Sequence, residues 1–279
     1  MPARGSNSRI GLASVGLELH GEAMLLWSRE LGGRGHPPLI ILHGLLGSSR
    51  NWLSAGRDLS AYFQVHLLDL RNHGRSPWSP EMDYAVMADD VLAWMEAQGL
   101  ARVHLVGHSL GGKLAMRLAC RHPERLESLN VVDIAPRRYV WPNRPGELAA
   151  LEALDLSELG SRSEAETRLE AAIPDLSHRR FFLGNLESIE GGGWRWQPNL
   201  AVIQQALAEL EDTPLAETDR YSGPTRFIVG ERSEYFGQGD EAIVRRHFPE
   251  VRFVRLPGVG HNPHVEDRPA LVAALADLG

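Results

Sequence analysis

One serine in this 279-residue sequence has the surroundings of an enzyme nucleophile. The run from Val103 to Val106 is mostly apolar, Gly-x-Ser-x-Gly follows it at 107–111, and a helix-like run begins at Lys113. This pattern is typical of a nucleophile elbow, in which a strained turn between a strand and a helix exposes the serine hydroxyl. Glycines suit the turn because strand and helix pack too closely for a Cβ. We therefore predict that Ser109 attacks an acyl carbonyl.

A nucleophile of this kind needs hydrogen-bond donors for the negative charge that develops on the attacked oxygen. Ser109 is expected at a helix N-terminus, where backbone N–H groups are free, so the Leu110 N–H is the first predicted donor. The segment His43-Gly44-Leu45-Leu46 follows another apolar strand, and the Leu45 N–H is the second predicted donor of the oxyanion hole. The His43 side chain is a candidate substrate contact.

The serine also needs a general base, for which twelve histidines compete. Position favours His261, because it follows the glycine-containing segment 257–260 directly after the last predicted strand. In an α/β architecture a loop there returns over the nucleophile, and the chain order serine then histidine is the required one. His264, three residues later, is the nearest alternative. No histidines have the spacing of a zinc site, so we expect neither a metal nor a cofactor.

The acid partner of the histidine has two possible places in the sequence. The loop at 230–235 carries Ser233 where an aspartate is expected, whereas Asp133 ends the strand after the elbow strand. A carboxylate at the end of an apolar strand is costly to bury without a partner. We therefore predict Asp133 as the acid. The remaining candidates are Glu231, Glu234 and Asp240.

These residues together predict a two-step acyl transfer. Ser109 attacks the acyl carbonyl, and His261 takes the serine proton and later gives it to the leaving group. Asp133 holds the imidazole in one tautomer and stabilises the imidazolium. Water then releases the acyl group from the serine.

The rest of the chain supports an α/β fold with one insertion. Apolar β-branched runs alternate with helical patterns, which indicates a parallel sheet. We assign the core to 24–135 and 219–279, and an N-terminal extension to 1–23. Between the two parts of the core, 136–218 reads as helices with one irregular stretch. We expect this insertion to be a helical cap over the active site.

Composition narrows the class of partner. A net charge of −7 and a pI near 5.9 argue against nucleic acid as a partner. No apolar run approaches the ~20 residues of a membrane span. The single cysteine, Cys120, fits a reducing compartment, so we expect a cytoplasmic protein that acts on a small molecule. The oligomeric state stays open.

The sequence from Met24 onward resembles the small carboxylesterases and acyl-CoA thioesterases of the α/β-hydrolase fold, a group with bacterial and mitochondrial members. The matching segments are 42–48, 69–76, 107–113, 132–136, 194–196 and 260–261. The resemblance implies a mostly parallel sheet flanked by helices, a helical cap and ester or thioester hydrolysis. It also implies that the acid comes from the Asp-Ile-Ala-Pro segment at Asp133, with a serine in the later loop.

Two departures from the family pattern border the expected pocket. The later loop reads Gly230-Glu231-Arg232-Ser233 in place of two glycines, asparagine and serine, and Asn262 rather than tryptophan follows His261. We expect these changes to alter the range of substrates.

The segment Trp194-Arg195-Trp196 admits two interpretations. It is either a short strand that packs its indoles on the cap, or a substrate lid in which Arg195 faces an anionic leaving group such as the phosphates of coenzyme A. Tyr235 and Phe236 similarly fit either an acyl pocket or the core. A C–C bond hydrolase or lyase of the same fold, and a non-catalytic binding protein, are the alternative functions.

Overall fold

The computed structural model describes residues 23–33 and 35–277. The expected N-terminal extension, 1–23, therefore lies almost wholly outside the described residues. The strands are β1 (Ser28–Leu31), β2 (Pro38–Leu42), β3 (Gln64–Leu68), β4 (Val103–His108), β5 (Leu126–Val132), β6 (Leu186–Ser188), β7 (Trp194–Trp196), β8 (Thr225–Gly230) and β9 (Val251–Leu256). The helices are α1 (Leu53–Leu59), α2 (Tyr84–Ala97), α3 (Leu110–Arg121), α4 (Arg144–Glu152), α5 (Arg162–Arg168), α6 (Leu176–Leu183), α7 (Leu200–Glu211), α8 (Asp240–His247), α9 (Pro263–Glu266) and α10 (Arg268–Ala276).

Seven strands form one sheet in the order β1-β3-β2-β4-β5-β8-β9. Every neighbouring pair is parallel except β1 with β3, which is antiparallel. Strands of a parallel sheet are covered on both faces and so read as continuous apolar runs. The predicted mostly parallel sheet is therefore confirmed.

Helices cover both faces of this sheet. Along β2, Ile40 belongs to the apolar cluster that includes α2 and α3, whereas Leu39 and Ile41 belong to the cluster that includes α1 and α10. This alternation follows from the two-residue period of a strand. Asp83 starts α2, because its carboxylate accepts hydrogen bonds from the N–H groups of Ala85 and Val86.

The insertion lies between β5 and β8. It contains α4 to α7 and the antiparallel hairpin β6–β7. Its buried side chains continue the apolar cluster on the α2–α3 face of the sheet, among them Leu148 of α4, Phe182 of α6 and Ile203 of α7. The insertion therefore packs onto the core through a shared apolar cluster.

Over the described ranges, 23–33 and 35–277, none of the helices combines the length and the apolar character that crossing a bilayer requires.

Candidate active site

Ser109 occupies the junction between β4 and α3 in a strained backbone conformation, with φ 51° and ψ −116°. Two contacts explain the glycines around it. A Cβ on Gly107 would lie 2.2 Å from the Gly111 carbonyl oxygen, and one on Gly111 would lie 2.5 Å from the Leu42 oxygen. Only glycine permits so close an approach of strand and helix. The local geometry is that of a nucleophile elbow.

The structure brings Ser109, His261 and Asp133 into one hydrogen-bonded chain. The Ser109 hydroxyl lies 3.1 Å from His261 Nε2, and His261 Nδ1 lies 2.7 Å from Asp133 Oδ2. A carboxylate at Nδ1 favours the tautomer that carries its proton there. Nε2 is then free to accept the proton of the serine hydroxyl.

The loop that carries His261 is held against the end of β8. The Arg232 N–H donates to the Val259 oxygen at 2.8 Å. A Cβ on Gly230 would lie 2.3 Å from the Gly260 oxygen. This close packing sets the position from which the imidazole points toward the elbow.

The Asp133 carboxylate is fully buried and well supplied with donors. Its Oδ1 accepts the Gly230 N–H at 2.9 Å, and its Oδ2 accepts the Ser233 hydroxyl as well as the His261 Nδ1–H. These three hydrogen bonds fix the orientation of the carboxylate. Ser233 therefore lies beside the Asp133 carboxylate.

The other three acid candidates are elsewhere. Glu231 and Glu234 are exposed. Asp240 is buried, but it pairs with Arg137 at 2.8 Å. The carboxylate that contacts the imidazole is that of Asp133.

Tyr235 stacks on the imidazole of His261. The ring centroids are 3.7 Å apart and the planes differ by 17°. Two hydrogen bonds hold the tyrosine: its N–H donates to the Ser233 hydroxyl oxygen at 3.1 Å, and its carbonyl accepts the Tyr139 hydroxyl at 2.7 Å. Burial raises the pKa of the Tyr235 phenol. The Tyr235 ring therefore covers one face of the imidazole. Phe236, the other residue expected in either the acyl pocket or the core, is a buried core residue that packs near Phe227 and Phe253.

The two predicted oxyanion donors flank the serine. Leu110 is the first residue of α3, so its N–H has no acceptor within the helix. Leu45 lies in a turn that the Gly47 N–H closes on the Gly44 oxygen at 2.9 Å, and this turn does not use the Leu45 N–H. A Cβ on Gly44 would lie 3.3 Å from the Ser109 Cβ. The turn is therefore in direct contact with the elbow.

His43 has a different position from the one we expected of a substrate contact. It is buried, its Nε2 accepts the Leu70 N–H at 3.0 Å, and its Nδ1–H donates to the Gly44 oxygen at 2.8 Å. Burial lowers the pKa of His43 to about 4. Neither ring nitrogen is available to a substrate, so the side chain supports the Leu45 turn instead.

His73 supports the same turn and was not among the candidates. Its Nε2 accepts the Leu46 N–H at 3.1 Å, and its Nδ1–H donates to the Arg71 oxygen at 2.9 Å. Burial lowers the pKa of His73 to about 3, so the ring is a neutral acceptor. Its contact with Leu46 spans 27 residues, and no local spacing reveals it.

His264, the alternative base, is buried beside Trp52 and His108. It stacks on Trp52 with centroids 4.7 Å apart, and burial lowers its pKa to about 4. The imidazole that meets the Ser109 hydroxyl belongs to His261. His108, inside the elbow, donates from Nε2 to the His261 carbonyl at 2.8 Å and so helps to hold His261 in place.

The side chains of the hairpin β6–β7 contact other residues of the insertion. The Trp194 indole N–H donates to the Leu159 oxygen at 2.9 Å, and that of Trp196 donates to the Leu151 oxygen at 3.0 Å. Arg195 is exposed and pairs with Glu187 at 2.8 Å. All three line a cleft of about 900 Å³, whose lining does not include the three residues of the hydrogen-bonded chain. The two indoles therefore anchor the hairpin to the rest of the insertion. Arg195 already has an anionic partner in Glu187.

Within the described part of the chain, no group of three or more histidine, cysteine, aspartate or glutamate side chains is arranged to hold a metal ion.

Comparison with known proteins identifies the family of the chain. Residues 37–268 match the family model described as the alpha/beta hydrolase fold. The sn-1-specific diacylglycerol lipase ABHD11 of Mus musculus is 35% identical over 240 residues, which cover 84% of this chain and 77% of the relative. Esterase YbfF of Escherichia coli K12 is 31% identical over 241 residues, which cover 85% of this chain and 91% of the relative.

A solved structure described as a marine microorganism esterase superposes with a TM-score of 0.87 at 37% identity. The superposition covers 91% of this chain and 98% of that one. The chain belongs to the α/β-hydrolase fold family, and it is a carboxylesterase-type hydrolase.

Proposed function

We propose that this hydrolase cleaves carboxylic esters or acyl thioesters through an acyl-enzyme on Ser109, with His261 as base and Asp133 as acid. The observation that carries the proposal is the chain of contacts from Asp133 Oδ2 through His261 to the Ser109 hydroxyl, with distances of 2.7 and 3.1 Å. The esterase and lipase relatives support an ester as the substrate.

The first step is attack of the Ser109 oxygen on the acyl carbonyl. His261 Nε2 takes the hydroxyl proton as the new C–O bond forms, and the imidazolium is stabilised by the Asp133 carboxylate. The same proton then passes to the leaving oxygen or sulfur as its bond to the acyl carbon breaks. His261 then takes a proton from a water molecule, which attacks the acyl carbon. The bond to the Ser109 oxygen breaks, the carboxylic acid product leaves, and the serine hydroxyl regains its proton from His261.

The N–H groups of Leu45 and Leu110 are proposed to bind the oxyanion of each tetrahedral intermediate. They belong to two different elements on either side of the nucleophile, the 44–47 turn and the start of α3. Loss of one such donor typically costs ~3 kcal/mol in the transition state. His43 and His73 act indirectly, by holding the turn that presents Leu45.

We also propose that the insertion, 136–218, is a cap that shapes the acyl pocket over the core assigned to 24–135 and 219–279. Its packing on the same apolar cluster as α3 supports this assignment. Tyr235 is proposed to contact the substrate, because it covers the base. The pairing of Arg195 with Glu187 weakens the case for an anionic leaving group bound there. The single cysteine supports a cytoplasmic location.

Labelling with a fluorophosphonate and turnover of p-nitrophenyl esters and acyl-CoAs of increasing acyl length test the proposal. Wild type is expected to label once and to hydrolyse one of the two series. Ser109→Ala should lose labelling and at least ~10³-fold in kcat, as removal of a catalytic nucleophile does. Ser222→Ala, at an exposed serine, is the matched control and should behave as wild type. Unchanged hydrolysis by Ser109→Ala would refute the mechanism.

A further inference from the structure

Lys113 is a fully buried cation on the helix that follows the nucleophile. Its ammonium donates three hydrogen bonds, to the carbonyl oxygens of Leu210 at 3.2 Å, Glu211 at 2.9 Å and Asp212 at 2.6 Å. An ammonium has three donors, so all of them are used. Two acceptors are the last carbonyls of α7, and the third belongs to Asp212, the residue that follows it. The carbonyls at the end of a helix have no partner within it and lie at its negative end.

Aromatic rings complete the surroundings of this ammonium. The centroids of Tyr139, Tyr84 and Trp141 lie 5.0, 5.8 and 6.0 Å from Nζ, within the range of cation–π attraction. The Tyr84 hydroxyl also donates to the Leu210 oxygen at 2.6 Å. The three carbonyl acceptors and the three aromatic rings around Nζ are therefore groups that suit an ammonium.

The groups that hold Lys113 come from both ends of the insertion. Tyr139 and Trp141 belong to the segment that enters it, and 210–212 leaves it. The two segments are also bonded to each other, since the Tyr139 N–H donates to the Glu211 oxygen and the Trp141 N–H to the Glu211 carboxylate, both at 2.8 Å. We call 139–141 and 210–212 the hinge segments. Lys113 joins both of them to α3.

The hinge segment 139–141 is also connected to His261 through Tyr235. The Tyr139 hydroxyl accepts the Ala135 N–H at 2.9 Å and donates to the Tyr235 carbonyl, and Tyr235 stacks on His261. A shift of the hinge segments would therefore change the position of the insertion and that of the Tyr235 ring on His261.

Stability alone is a weak reason to bury this cation. Burial lowers the pKa of Lys113 to about 7, although Asp212 and Glu211 act in the opposite direction. Replacing a whole buried ionic group together with its partners by apolar side chains is often neutral for stability, whereas removing one partner alone is costly. The best-attested use of such groups is to select one arrangement among several. Here the arrangement that Lys113 selects is that of the insertion on α3.

We propose that Lys113 is a positioning residue of the hydrolase, whose ammonium clamps both hinge segments and so fixes the insertion relative to Ser109. The inference rests on the proposed function, because it assigns to the insertion the role of shaping the acyl pocket. It predicts that loss of the clamp affects long acyl groups, which reach the insertion, more than short ones.

The test compares Lys113→Met with wild type on p-nitrophenyl acetate and p-nitrophenyl octanoate. Losing hydrogen bonds from a charged donor corresponds to an effect of about tenfold or more. We expect KM for the octanoate to rise about tenfold, whereas kcat for the acetate changes less than about threefold. Lys113→Arg, which keeps the charge and the donors, should recover part of the octanoate KM.

Arg117→Met is the matched control. Arg117 lies one turn further along α3 and donates to the Pro214 oxygen at 3.2 Å, beyond the hinge segments. Its loss should leave the octanoate KM unchanged. Hydrogen–deuterium exchange adds a readout that does not depend on activity: Lys113→Met should raise exchange at the hinge segments and leave β4 and β5 protected.

Two results would overturn the proposal that Lys113 positions the insertion. One is an octanoate KM within about threefold of wild type with unchanged exchange at the hinge segments. The other is an equal loss on both esters accompanied by a lower Tm, which indicates general destabilisation. Lys113→Gln, which keeps one donor group, is measured in the same way should Lys113→Met not fold. Failure of the proposed function would instead appear in wild type, as absence of labelling and turnover.

Discussion

Asp133 and His261 meet at 2.7 Å although 128 residues separate them in the chain. The sheet order explains the contact, because β5, which ends beside Asp133, lies between β4 and β8. A carboxylate at the end of β5 is therefore adjacent both to the elbow at the end of β4 and to the Ser233 loop at the end of β8. A carboxylate at the end of β5 or at the end of β8 can therefore reach the same imidazole without a change in the position of that imidazole.

Asp133→Asn is expected to lower kcat by ~10³–10⁴ with little change in KM, because an amide favours the wrong imidazole tautomer and does not stabilise the imidazolium. Steady-state kinetics on a p-nitrophenyl ester measures this loss. Glu234→Gln, at an exposed carboxylate of the neighbouring loop, is the control and should keep the wild-type rate. Near-normal rates for Asp133→Asn would show that the Asp133 carboxylate is not the acid of the proposed mechanism.

Ser233→Ala removes one of the donors to the Asp133 carboxylate but leaves the Gly230 N–H in place. We expect kcat to fall about tenfold, the effect of one hydrogen bond to a charged group, with KM unchanged. Ser233→Thr keeps the hydroxyl and should retain more of the rate. If Ser233→Ala and wild type have equal kcat, the hydroxyl does not help to orient the acid.

The parts of the site that sequence could predict are those encoded by local spacing. Gly107 and Gly111 mark the elbow because each avoids a backbone clash. Asp133 was recognisable as an acidic residue at the end of an apolar strand. The sheet followed from alternating strand and helix patterns. Each of these signals needs only a few neighbouring residues.

The parts that sequence could not predict depend on partners far away in the chain. Both nitrogens of His43 are engaged, and its Leu70 partner is 27 residues distant. The carbonyls that hold Lys113 are 97 to 99 residues away. The Arg195 pair with Glu187 depends on the register of the hairpin. No residue pattern near these positions specifies such contacts.

Gly111→Ala and Gly146→Ala each add one methyl group to a helix, and we expect opposite changes in the free energy of unfolding. At Gly111 the Cβ would lie 2.5 Å from the Leu42 oxygen, and backbone cannot move aside easily. We expect a loss of about 2 kcal/mol or more in the free energy of unfolding, as overpacking gives. Gly146 has nothing within 4 Å, so alanine should stabilise α4 by about 0.5–1 kcal/mol. Urea unfolding measures both, and equal midpoints would contradict the close approach at the elbow.

Four buried histidines predict that the fold weakens in mild acid. Burial lowers the pKa of His43 and His264 to about 4 and that of His73 to about 3, and it places the pKa of His108 well below 6.5. Between those values and 6.5 the unfolded chain binds more protons than the folded one, so the free energy of unfolding decreases as pH falls through this window. The stabilisation is complete above pH 6.5.

His264→Phe tests this linkage, because phenylalanine can keep the stack on Trp52 but does not titrate. For a pKa lowered from 6.5 to about 4, the loss between pH 6.5 and 5 amounts to about 2 kcal/mol. Urea unfolding at pH 7 and pH 5 should therefore show a decrease for His264→Phe that is smaller than that of wild type by about this amount. His36→Gln, at an exposed histidine, is the control and should show the wild-type decrease. An identical decrease in His264→Phe and wild type would mean that this ring is not kept neutral by burial.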